Sequence, residues 1–159
     1  MKTGQEFIKH ELDEAIAIQQ AIVEAEQRLA RKHPVKEAQR LIERAHKQDS
    51  KQLQTLQEIG KRFGASGKQE EVSEAMTQLM EETVSGAGEA ESEAYEAHAV
   101  LVTLKRKQAD AGDAMVKIAR AVKDDEMKAA AKELYDTSRR SAQELAESLS
   151  KMAVQIATA

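Results

Sequence analysis

Four residues in this chain carry chemistry at a spacing that could be used: His46 and Asp49, one helical turn apart, and Glu93 and Glu96, also three apart. Imidazole and carboxylate are the donors that iron and manganese accept. Two such pairs on facing helices can converge on one ion or two. Further polar residues interrupt otherwise apolar stripes. These are Gln19 and Glu26 early in the chain, with Ser138 and Ser141, or the acidic run Asp124-Asp125-Glu126, late in it. His98 reads as turned partly aside from its stripe, and the His10/Glu14 pair as an end-of-helix pair facing solvent. A stripe-edge glutamate often reaches water, and a buried glutamine often only satisfies a hydrogen bond. Metal binding at His46, Asp49, Glu93 and Glu96 is therefore one reading of the pattern, and a solvated helical surface is the other.

Other chemistries have less to stand on. No Gly-x-Ser-x-Gly elbow is present. No phosphate-cradling glycine loop follows a strand. With no cysteine there is no thiol catalysis, thiolate site or disulfide. The basic clusters Arg28/Arg31/Lys32, Lys105-Arg106-Lys107 and Arg139-Arg140 are short, lie among acids and lack aromatic neighbours, so no nucleic-acid partner is expected. The formal net charge is −4, from 24 basic and 28 acidic residues. No apolar run reaches the roughly 20 residues of a membrane span, so no membrane partner is expected. The opening Met1–Gln5 leads into an amphipathic stretch, which predicts no secretory leader and a cytoplasmic location.

The elements that must hold these residues are helices. One proline, seven glycines, four aromatic residues and abundant Ala, Glu, Gln, Lys and Leu predict an all-α chain forming a single domain over residues 1–159. A first helix is predicted from Gly4 to Lys32 and stops at His33-Pro34; a second runs to about Phe63, making an antiparallel hairpin. After Gly64–Gly67 comes a short helix near 68–84, and Ser85–Gly88 breaks the chain again. A third long helix is predicted over about 89–109, interrupted by Asp110-Ala111-Gly112-Asp113. From Asp113 to about Ile156 one apolar stripe continues, with a kink near Asp124-Asp125, as one helix or two. Two long helices, a long connection with a short helix, then long helices again predict a four-helix bundle of ferritin-like type with one crossover.

The stretch Arg28–Arg31 through Gln52-Leu53, and Glu93-Ala94-Tyr95-Glu96 continuing to Thr103-Leu104, resemble the bacterial stress-associated ferritin-like proteins of the YciF/YciE type. That resemblance covers about two-thirds of the chain and implies the bundle fold, a stress setting and a metal site to which Glu93 and Glu96 contribute. The chain departs from the family pattern elsewhere. Gln19 stands where a first-helix glutamate is expected, Lys47 and Ser50 stand in the Glu-x-x-His register, and Arg139, Arg140 and Ser141 stand in one register of the last helix. A lysine in the cavity, such as Lys47 paired with Glu96, can take the metal's place. The expected function is accordingly a non-catalytic, metal-degenerate scaffold that self-associates, a homodimer through Val100, Val102 and Leu104 being the simplest form, with no cofactor. The alternatives are an iron or manganese protein with a rearranged site, and a helical adaptor unrelated to ferritins.

Overall fold

The computed structural model describes residues 3–68, 72–87 and 91–159 and contains, among them, five helices and no strand. They are α1 (Gly4–Lys32), α2 (Lys36–Phe63), α3 (Glu74–Ser85), α4 (Glu91–Ala121) and α5 (Asp125–Thr158). Each boundary has a local cause. At α1 a capping box pairs the Thr3 side chain with the Glu6 N–H and the Glu6 carboxylate with the Thr3 N–H. At its other end His33 leaves the helical region ahead of Pro34. Gly64 closes α2 in the left-handed conformation, φ +72°. Ser73 caps α3 and Asp124 caps α5 through the Met76 and Met127 N–H groups.

The third predicted helix is corrected by this structure. The chain does not break at Asp110–Asp113; α4 runs through it to Ala121. Gly112 is there because α4 and α5 nearly touch. A Cβ at Gly112 would lie 2.8 Å from the Tyr135 backbone nitrogen and 3.1 Å from the Ala131 carbonyl. The turn comes at Val122–Asp124, where Lys123 takes φ +58° without being glycine. The stripe after Asp113 is therefore the end of α4 followed by α5. The short helix begins at Glu74, six residues later than expected, and positions 69–71 and 88–90 lie outside the described residues.

The long helices touch in a ring, α1 with α2, α2 with α5, α5 with α4 and α4 with α1, while α3 packs on α1 and α4. Every contact in the ring is antiparallel. Val23 pairs with His46 across α1/α2, and Glu37 with Lys151 and Arg62 with Asp124 across α2/α5. Lys105 meets Ser141 and His98 meets Leu145 across α4/α5, and across α1/α4 Ala15 meets Gln108 while His33 meets His98. Helix α2 thus ends beside the start of α1, whereas α4 starts beside the end of α1. The connection carrying α3 travels between opposite ends of the ring.

Two apolar clusters fill the interior. One is built on Ile18, Ile22, Leu29, Ile42, Leu101, Leu104 and Leu145, the other on Leu12, Ile16, Leu56, Ile59, Met115 and Leu134. Each such side chain, fully buried, contributes about 1.5–3 kcal/mol. Val102 and Leu104 belong to the first cluster, with Met80 of α3, so two of the three residues expected to mediate dimerisation are taken up by the chain's own packing, and Val100 is half-buried.

Candidate functional site: a charged centre between the long helices

The two clusters are separated by a layer of polar side chains. Gln19, Glu26, Asp49, Gln52, Lys105, Gln108, Ser138 and Ser141 are all buried, and Lys105 is only 1% exposed. The repeat Leu101, Lys105, Gln108, Gly112 on α4 puts the lysine on the inward stripe at steps of four, three and four. Glu26 reaches the same point from α1, Asp49 from α2 and Ser141 from α5.

The Lys105 ammonium has two hydrogen-bond acceptors and a second carboxylate close to it there. Nζ lies 2.6 Å from Asp49 Oδ2, 2.7 Å from Ser141 Oγ and 3.0 Å from Glu26 Oε2. Contact with Glu26 is electrostatic, because neither Glu26 oxygen has a partner in hydrogen-bond geometry. Burial pulls the Lys105 pKa down, but the charges of Glu26 and Asp49 more than offset it, and the group is held above its ordinary value. Burial pushes Glu26 well above the ordinary carboxylate range against the pull of Lys105, and Asp49, within hydrogen-bonding reach of it, raises it further. One ammonium neutralises one carboxylate. Asp49 makes the shorter contact with the ammonium, and Glu26 is the carboxyl held towards its protonated form.

An amide pair sits beside this centre. Gln19 donates to the Asp49 carbonyl (3.0 Å), and Gln108 donates to the Ala15 carbonyl and to Gln19 Oε1, both at 2.9 Å. A second polar unit lies towards the end where α1 gives way to α2. The Val35 N–H can only donate, so His33 Nδ1 accepts it (3.1 Å) and His33 carries its hydrogen on Nε2. That hydrogen goes to His98 Nδ1 (3.1 Å), and His98 Nε2–H donates to the Leu145 carbonyl (2.8 Å). Both imidazoles are neutral. Burial, then the neighbouring His98, brings His33 down to about 4, and burial lowers His98.

The four residues singled out as metal ligands are not brought together. Asp49 is committed to Lys105, while Glu93 and Glu96 are exposed on α4, off its inward stripe. His46 is half-buried, with Nδ1 3.1 Å from the Val23 carbonyl. Lys47 is exposed as well, so the Lys47–Glu96 pair does not occupy the cavity. His98, expected to turn aside, is fully buried. Of the two late registers, Ser138/Ser141 face inward, while Asp124 and Glu126 pair with Arg62 at the end of the ring. Among the described residues the one grouping of metal-type donors is His10, Glu11 and Glu14, consecutive turns of α1 at half-buried positions, with Glu14 also facing Lys107 at 3.4 Å.

An iron or manganese centre of the kind the sequence resemblance implies does not fit the donors present. Among the described residues the centre offers Glu26 and Asp49 as carboxylates and no histidine beside them, and the position between them is filled by a cation that belongs to the chain. The sequence reading missed Lys105. In the run Lys105-Arg106-Lys107 it looks like solvated surface; only its place in the stripe with Leu101, Gln108 and Gly112 marks it as internal. No known family model matches this chain, and no curated protein matches it in sequence.

Proposed function

We propose that the protein is a ferritin-like four-helix bundle with one crossover, in which the Lys105 ammonium stands where a metal centre would, and that it serves as a non-catalytic scaffold working from its surface. The observation that carries this reading is the contact set of Lys105: two carboxyl groups and a hydroxyl within 3.0 Å of Nζ, sealed from solvent. An ammonium held this way supplies the positive charge that inward carboxylates require, and leaves no open coordination position. The antiparallel ring and its end-to-end connection support the bundle part of the proposal. The stress setting comes with the sequence resemblance. Self-association also belongs to this reading, and an outer groove of about 600 Å³ between α4 and α5 offers it a surface, with Ala109, Ala142 and Ala146 as floor and Arg106, Arg139 and Glu147 on its rim.

The test is metal content, measured by plasma mass spectrometry on tag-free protein incubated aerobically with ferrous and manganous ions and then desalted. Background metal is expected. One or two retained equivalents would overturn the proposal and restore a metalloprotein reading. Light scattering at high protein concentration tests the self-association separately, and a monomer mass would remove it.

A further inference from the structure

A small cavity of about 170 Å³ opens between α2 and α5, directly outside the charged centre. Its wall includes Ser141, the hydroxyl that accepts from Lys105. From the surface inward the cavity therefore leads to a buried cation through one side chain.

The chemistry of its lining is one-sided. Ser141 is 8% exposed, and its oxygen is taken by the ammonium, which leaves its hydrogen to be placed. Several helical hydroxyls elsewhere in the chain donate to the carbonyl four residues back, as Ser50, Thr83 and Ser150 do. Ser141 makes no such bond, and neither does Thr137 one turn earlier on the same wall. Accepting from a cation polarises the Ser141 hydroxyl and makes it a stronger donor. Arg44 and Arg140 stand at the rim, exposed and without a carboxylate partner among the described residues, and Gln48 adds an amide. Against these, Glu144 is the one acid of the lining. Two guanidinium groups and two uncommitted hydroxyls around a space of several water volumes match a tetrahedral oxyanion, which offers acceptors in every direction.

We propose that this cavity binds a phosphate-class oxyanion, with Arg44 and Arg140 clamping it from α2 and α5 and the Ser141 and Thr137 hydroxyls donating to its inner oxygens. Lys105 acts through Ser141 and does not touch the ligand. The ligand is free phosphate or the phosphoryl group of a larger molecule, the chemistry being the same. This site goes beyond the scaffold reading and does not depend on it, since metal content and anion binding are measured separately.

The experiment is a titration of the full chain with inorganic phosphate at constant ionic strength, followed by backbone amide NMR shifts. Saturable shifts centred on residues 44–48 and 137–144 are expected. Arg44→Gln and Arg140→Gln should each weaken binding about tenfold, the loss of one charge-assisted contact. Both sites are exposed, so the fold should be retained. Glu144→Gln should tighten binding severalfold by removing the one repulsive charge. Absence of saturable shifts, or the same affinity in the Arg44→Gln/Arg140→Gln double variant, would overturn the proposal. Phenyl phosphate provides the second arm. Tighter binding than inorganic phosphate identifies a phosphoryl group on a larger partner, and equal or weaker binding identifies the free anion.

Discussion

The protein buries two polar units by opposite means. At Lys105 it keeps charge in the interior by pairing it: one ammonium and two carboxyl groups share one space. At His33 and His98 it keeps charge out, by giving every ring nitrogen a neutral partner in one fixed order from the Val35 N–H to the Leu145 carbonyl. Removing a partner from the first unit exposes an uncompensated ion. Adding a proton to the second forces two donors to face each other. The contrast teaches that a dry core tolerates either paired charge or titratable neutrality, but the two solutions fail at different hands.

The largest effect should come from breaking the charged unit. Lys105→Met is expected to destabilise the fold by about 3–5 kcal/mol in urea unfolding, because Asp49 is left as an unpaired buried carboxylate. Adding Asp49→Asn should recover a large part of that loss. If the single and double variants are equally unstable, the ion pair does not hold the centre together.

The histidine unit should answer to pH instead. Its folded-state pKa values lie below the unfolded value near 6.5, so below pH 6.5 the unfolded chain takes up protons that the folded chain refuses. Stability is complete above pH 6.5 and falls as the pH drops towards about 4, with His33 alone contributing about 3 kcal/mol over that window. Urea midpoints measured from pH 7.5 to 4.5 should show this slope, and His33→Leu/His98→Leu should flatten it. An unchanged slope in that variant would place the acid sensitivity elsewhere.

Gly112→Ala sharpens the comparison from a distance, since both units cross the α4/α5 contact, Lys105 to Ser141 and His98 to Leu145. The added methyl meets backbone, which cannot turn aside, and about 1–3 kcal/mol of stability should be lost. Slower-protected amides should become faster on both helices in hydrogen exchange. The smallest effect is expected at Glu26→Gln, which replaces a carboxyl held towards its neutral form and should leave stability at pH 7 within about 1 kcal/mol of the parent. The sign with pH is the reverse of the histidines': a raised carboxyl contributes stability below its unfolded pKa and loses it as pH rises through the folded one. Glu26→Gln should therefore flatten a decline that sets in as the pH rises above the ordinary carboxyl value near 4.5, and a strong loss of stability at pH 7 would show that Glu26 is ionised.

Much of the helical order was legible because its signals are local. His33-Pro34 marks the hairpin joint and Gly64 a stop, and the structure agrees at both. Asp110–Asp113 misled because a glycine demanded by a neighbouring helix has the same letters as a glycine demanded by a turn; the true turn at Lys123 contains neither glycine nor proline. In the interior, Gln19, Glu26, Asp49 and Ser141 were visible as polar breaks in apolar stripes. Lys105, the partner of the last three, was not, since a lysine between a leucine and an arginine reads as surface, and the pairing is a property of four helices at once. Glu93 and Glu96 drew attention through spacing alone, which says nothing about which face they occupy.

Lys105 is also the one buried lysine among the described residues. An amine-modifying reagent will label the exposed lysines of the native protein at once, while Lys105 reacts only in molecules that have opened. With reagent in moderate amount, its labelling rate scales with the fraction of open molecules, and with reagent in excess it approaches the opening rate itself. A single internal residue thereby serves as a clock for the cooperative opening of the whole helical assembly, readable by mass in a protein with no cysteine or tryptophan to probe.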